Sequence, residues 1–155
     1  MDMTPPKPAQ TPNESVMQFP CACANARRAS RVITQFYDSV FQVAGQSIAQ
    51  FGLLHALSLS KIATQAQLGA ILSIDPTTLS RTLRPLLREK LIERIPGSDR
   101  REQYLQLTAA GRKQLKKTLP NWQRAQARLR KSLGEKDWNQ MQKLLTRAVE
   151  ATQQA

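Results

Sequence analysis

The chain has 155 residues, with 23 Lys and Arg against 11 Asp and Glu, a formal charge of +12 and an isoelectric point near 10.5. That is one domain's length, and 41% apolar with 5% aromatic residues is lean for a large monomeric core but ample for a helical fold that buries further surface in a dimer. The N-terminus lacks the pattern of a secretory signal, the apolar run FGLLHALSL at 51–59 is less than half a bilayer span, and two cysteines fall short of a disulfide scaffold or a one-chain zinc site, so a soluble cytoplasmic protein is expected.

Residues 1–20 hold five of the nine prolines among polar residues and read as a flexible arm. From Cys21 to Val43 the apolar positions Ala29, Val32, Ile33, Phe36, Tyr37, Val40 and Phe41 recur at three and four, the period of an amphipathic helix that Gly45 stops. Residues 47–59 form a second, mostly apolar helix. Thr64 with Gln67 three residues later is a capping-box pattern for a short helix ending near Leu72. Asp75 then caps another helix, with Pro76 at its first position, and the two short helices make a helix-turn-helix. LIERI at 91–95 and QYLQL at 103–107 alternate with period two around a charged tip, as in a β-hairpin. Thr108 restarts helix, with a seam at Leu115, Leu119, Trp122, Leu129 and Leu133 and Gln126 in the gap. Gly134 breaks it, and a last helix carries Trp138, Met141, Leu145 and Ala148. The predicted order is α-α-α-α-β-β-α-α: mainly α with a small β-hairpin wing.

On a helical wheel of residues 76–90, Leu79, Leu83, Leu86 and Leu87 share one arc, while Thr77, Arg81, Arg84 and Arg88 gather roughly opposite. Such a stripe is either a solvated surface or a recognition helix that brings Thr77, Thr78, Ser80, Arg81 and Arg84 to a major groove. Charge location favours the second reading: residues 76–118 carry eleven Lys and Arg against four Asp and Glu, a concentration that solubility alone does not require. Arg100 and Arg101 at the hairpin tip extend the stripe towards an adjacent minor groove. Lys113, Lys116 and Lys117 read as helix surface that adds attraction without sequence information. Pro85 lacks an N–H for the Arg81 carbonyl, and a kink separating a DNA-reading first half from a packing second half is expected there.

With these residues in place, the chain resembles the MarR family of bacterial winged-helix regulators over about residues 24–150, most strongly in IDPTTLSRTLRPLLREKLIERIPGSDRREQYLQLTAAGRKQL at 74–115. The wing-tip D-x-R matches as Asp99 and Arg101, and L-T-x-x-G as Leu107, Thr108 and Gly111. The resemblance implies a homodimer whose first and last helices interlock while two winged-helix lobes grip a palindromic operator in double-stranded DNA, usually to repress transcription. It also implies that Asp99 positions the wing arginines, with Arg101 the minor-groove reader. The family often has Gly where Lys90 stands, so the recognition helix must end here without a residue free to take positive φ. The implied layout is 1–20 as the arm, 21–45 with 109–153 as a dimerisation region, and 46–108 as the winged helix-turn-helix domain.

Cys21 and Cys23 open the first helix near Arg27, Arg28 and Arg31, where a helix N-terminus and guanidiniums both favour a thiolate. Three readings stay open: small packing residues, a thiol redox switch, and a thiolate metal or metalloid site shared by two chains. The resemblance adds that some relatives sense oxidants through a first-helix cysteine. It also places His55 near a cleft where small aromatic effectors bind, which Phe36, Tyr37 and Phe51 would line; core is the competing reading for all four. Trp122 and Trp138 are read as dimer core. No nucleophile–base pair, phosphate loop, metal motif or carboxylate constellation is present, so neither an enzyme, a cofactor nor an assigned metal is expected. The reading is therefore a sequence-specific duplex-DNA regulator modulated by a small molecule or by cysteine oxidation, with no membrane partner. The alternative is a non-specific, architectural nucleic-acid-binding protein.

Overall fold

A computed structural model describes residues 21–97 and 102–153. The chain divides after Gln35 into two compact units. The first is the leading part of α1 (Ala22–Phe41), exposed along most of its length. The second runs from Phe36 and contains α2 (Ile48–Ser60), β1 (Ile62–Thr64), α3 (Gln65–Leu72), α4 (Pro76–Arg88), β2 (Ile92–Pro96), β3 (Gln103–Leu107), α5 (Ala109–Leu133) and α6 (Glu135–Gln153). A 3-10 turn at Gln42–Ala44 ends at Gly45, which takes φ +64 as the Gly45 stop requires.

Local side-chain bonds set the helix starts. Ser47 and Gln50 form one capping box, and Thr64 and Gln67 another. Asp75 accepts the Thr77 and Thr78 N–H groups at 3.0 Å each, and Thr108 accepts that of Gly111. The core of the second unit is built from Leu53, Leu54, Leu57, Ala63, Leu68, Leu79, Leu83, Leu86, Ile92, Leu105 and Leu107, which ties α2, α3 and α4 to the sheet.

The sheet has three antiparallel strands in the order β1-β3-β2, not the two of a bare hairpin. β3 is central, with Ala63 opposite Leu105 on one side and Arg94 opposite Leu105 on the other. β1 is only three residues long, and Thr64 is both its last residue and the cap of α3. Its paired residues lie 40 to 44 positions away in sequence, so its strand character comes from tertiary pairing and not from local periodicity.

α4 is one continuous helix through Pro85, with Leu79 upstream of the proline and Leu83 and Leu86 on either side of it all buried. Packing therefore extends along the whole helix and is not confined to its second half. Lys90 resolves how the helix ends without glycine: it takes φ +55, its N–H donates to the Leu87 carbonyl at 3.0 Å, and the Leu91 N–H donates to that of Leu86 at 2.9 Å. These two bonds form a Schellman motif with lysine in the left-handed position.

The L-T-x-x-G segment locks this corner to the start of α5. Thr108 Oγ1 donates to the Lys90 carbonyl at 2.7 Å, the Thr108 N–H donates to the Leu91 carbonyl at 3.1 Å, and Arg112 Nη1 donates to the Leu107 carbonyl at 2.8 Å. A Cβ on Gly111 would lie 1.9 Å from the Leu91 oxygen, so only glycine fits.

α5 departs from the expected leucine seam. Its buried residues are Gly111, Thr118, Asn121 and Ala125, small or polar side chains that allow close approach, while Leu115, Leu119, Trp122 and Leu129 are half-buried. α6 buries no residue at all, and Leu144, Leu145 and Val149 are about half exposed.

Candidate nucleic-acid interface

Asp75 and Pro76 start α4 and Leu79, Leu83 and Leu86 pin one face, which leaves Thr77, Thr78, Ser80, Arg81, Arg84 and Arg88 exposed on the rest of the helix. The cap is charge-assisted: hydrogen bonds from the Thr78 side chain and then from the backbone hold the Asp75 carboxyl below its ordinary value of 3.8. Pro76, Thr77, Ser80, Arg81 and Arg84 line one open groove of about 530 Å³. Arg81 and Arg84 have no ion-pair partner among the described residues, so their guanidiniums are available. Arg88 lies 3.9 Å from Glu89, both side chains being more than half exposed, which is a weak pair.

The structure adds residues that the sequence did not single out. A second groove of about 220 Å³ joins Ser80 and Arg84 of α4 to Gln65 of α3 and Arg94 of β2. A third, of about 490 Å³, continues from Gln65 and Arg94 to Glu102 and Gln103 at the base of the hairpin. Arg94 thus carries the cationic surface from α4 onto the hairpin. Gln65 Nε2 donates to Ser80 Oγ at 2.7 Å and braces the two helices across the turn. Both links join residues far apart in sequence, and the only sequence signal was the basic residue itself in β2. Asp99, Arg100 and Arg101 lie outside the described residues. Lys113, Lys116 and Lys117 are exposed on α5, as expected.

The residues assigned to an effector cleft fall into two ring clusters. Phe36 meets Tyr37 edge-on at 5.6 Å, with the Arg128 guanidinium 5.3 Å from the Phe36 centroid. Burial pushes the Tyr37 phenol above its ordinary value. Phe51 is buried against Phe41 and stacks with His55 at 5.8 Å and with Trp122 at 6.2 Å. His55 is exposed rather than core, and it stacks on Trp122 at 6.5 Å. Trp122, expected in a dimer core, packs here on rings of its own chain. Among the described residues, two buried side-chain oxygens have no hydrogen-bond partner, Gln46 Oε1 and Gln126 Oε1.

Cys21 stands just ahead of α1, where its Sγ accepts the Ala24 N–H at 3.5 Å and its carbonyl accepts the Asn25 N–H. It therefore acts as the helix cap rather than a helical residue. Cys23 is exposed, and both thiols are free. Among the described residues no group of three or more His, Cys, Asp or Glu is placed to hold a metal, and no helix is long and apolar enough to cross a membrane.

A short helix, a tight turn, a capped helix with a polar outer face and a following antiparallel hairpin define a winged helix-turn-helix protein. The MarR family model matches residues 44–102. The solved structure of the M. tuberculosis transcriptional regulator MosR in complex with DNA is 34% identical, with TM-score 0.77, covering 86% of this chain and 96% of that one. A second structure of M. tuberculosis MosR is 31% identical at the same TM-score, covering 88% and 98%. A cysteine-to-serine mutant of E. coli MarR, complexed with operator DNA, shares the fold at 21% identity and TM-score 0.74, covering 88% and 96%. A comparison with curated proteins returns no match. The chain belongs to the MarR family.

Proposed function

We propose that this chain is a homodimeric, sequence-specific transcriptional repressor that reads a palindromic operator in cytoplasmic double-stranded DNA. The observation that carries the reading is α4: Thr77, Ser80, Arg81 and Arg84 point outward, without ion pairs among the described residues, from a helix whose opposite face is buried leucine. The MosR structure, a third identical over nearly its full length, holds DNA, which supports DNA as the partner of this chain. Residues 46–108 are the reading domain, with the wing arginines Arg100 and Arg101 at a minor groove and Asp99 positioning them. Residues 21–45 and 109–153 form the dimerisation region. The half-exposed Leu144, Leu145 and Val149 on α6 support that assignment, because a chain of this size gains by covering such a stripe. Two lobes would then read half-sites about one helical turn, roughly 10 bp, apart.

Release from DNA follows a small aromatic effector or thiol oxidation. The ring cluster of Phe51, His55 and Trp122 supports the first route; Cys21 capping α1 beside exposed Cys23 supports the second.

The deciding experiment is competition binding to the gene's own upstream DNA. Specific binding is expected, so that a random duplex competes far less well than the upstream fragment. Equal competition by the two would leave only non-specific, architectural binding. The same assay after mild peroxide, in wild type and in Cys21→Ser/Cys23→Ser, tests the thiol route. Identical loss of binding in both would remove the cysteines from the mechanism.

A further inference from the structure

Hydroxyls in the helices of this chain mostly turn back on their own backbone. Ser60, Thr82, Thr118, Ser132, Thr146 and Thr152 each donate to a carbonyl three or four residues earlier. Ser80 does not. Its oxygen instead accepts from Gln65 Nε2 at 2.7 Å, and its hydrogen finds no acceptor among the described residues. Ser80 is exposed on the outer face of α4 and lines both the groove with Thr77 and Arg81 and the groove with Arg84 and Arg94.

A free serine hydroxyl carries one donor and two acceptor positions, and it rotates to suit either kind of base edge. The bond from Gln65 occupies an acceptor position and restrains the rotor, so the remaining hydrogen points away from α3. We propose that Gln65 is a specificity-determining positioning residue: it fixes the hydrogen-bond polarity of Ser80, so that the hydroxyl meets the major groove as a donor. A donor discriminates base edges. It matches guanine N7 and O6, adenine N7 or thymine O4, and it is mismatched against the cytosine amino group. Arg84 and Arg94, in the same groove, attract the phosphates that hold this contact in register. The inference rests on the DNA-reading role proposed above.

The test is selection of duplexes from a randomised library by the full chain, followed by competition binding at each selected position. Wild type is expected to disfavour cytosine against the other three bases at one position of each half-site, by about two- to tenfold, the range of one neutral hydrogen bond. Gln65→Leu frees the rotor and flattens that preference. Gln65→Glu places a carboxylate that can only accept, turns the Ser80 hydrogen inward and shifts the preference towards cytosine. Ser80→Ala flattens the same position, and adding Gln65→Glu to Ser80→Ala changes it no further. Melting temperatures of the variants separate this effect from loss of fold, because a brace that is merely structural lowers stability without altering base preference. If wild type selects a site and Gln65→Glu leaves its base preference unchanged, the inference is overturned. If wild type selects no sequence, the DNA-reading proposal fails first and takes this inference with it.

Discussion

Replacing Gly111 by alanine tests the corner that holds the hairpin to the end of α4. The added Cβ would stand 1.9 Å from the Leu91 oxygen and 2.9 Å from its carbon, whereas a carbon and an oxygen normally rest more than 3 Å apart. The Leu91 carbonyl has little room to yield, since it accepts both the Thr108 N–H at 3.1 Å and the Thr108 hydroxyl at 3.2 Å. Moving it by about 1 Å disrupts both bonds, at about 1 kcal/mol each. It also displaces the backbone at the root of β2, an overpacking strain of about 1–3 kcal/mol. A loss of about 3–5 kcal/mol is therefore expected, a large share of the roughly 5–15 kcal/mol that holds such a domain folded. Urea unfolding followed by circular dichroism and tryptophan fluorescence measures it. Gly52→Ala is the matched control: apart from its own helix backbone nothing lies within 4 Å of its Cβ site in the middle of α2, so it should stabilise by about 0.5–1 kcal/mol. A Gly111→Ala protein within about 1 kcal/mol of wild type would refute the steric reasoning.

The same corner predicts that Lys90→Gly stabilises the fold by about 0.5–1 kcal/mol, because lysine at φ +55 is strained and exposed; unchanged or lower stability would show that the strain is negligible. Asp75, whose folded-state carboxyl is lowered, contributes stability that is complete above its ordinary pKa and is lost as pH falls through the lowered value. The difference in melting temperature between wild type and Asp75→Ala should accordingly be largest near neutrality and close in acid, and a gap that does not depend on pH would contradict the charged cap. Arg94→Ala should weaken DNA binding almost equally for operator and random duplexes and reduce the salt slope by about one, whereas a loss confined to the operator would make Arg94 a base reader. Leu145→Asp on α6 should shift the sedimentation coefficient from dimer towards monomer, and an unchanged value would place the dimer surface elsewhere.

What was legible in the sequence is what is set within a turn or two of chain. The Thr64–Gln67 box, the Asp75–Pro76 start, the leucine arc of α4 and the Gly45 and Gly134 breaks all depend on residues three or four apart, and each stands where the pattern put it. β1 escaped because three residues carry no usable period and become a strand only by pairing with β3. Gln65 and Arg94 escaped for a related reason: a glutamine at a helix start and an arginine in a hairpin have no signature until the fold brings each beside Ser80 or Arg84. The α5 seam misled because leucine spacing marks an apolar face but does not say which part of that face faces its own chain; the innermost positions went to Thr118, Asn121 and Ala125.

α5 is 25 residues long and runs unbroken through Pro120, so it extends about 37 Å from the Thr108 corner to Gly134. Because Thr108 grips the carbonyls of Lys90 and Leu91, that rod is fastened at its base to the end of α4. It is therefore a lever with a fixed fulcrum. A tilt of about 5° at the far end corresponds to a displacement of about 3 Å, close to the 3.4 Å rise of one base pair along a DNA strand. In the proposed dimer, a rearrangement among the distal helices too small to change the contacts within either reading domain would still shift the spacing of the two by a base pair.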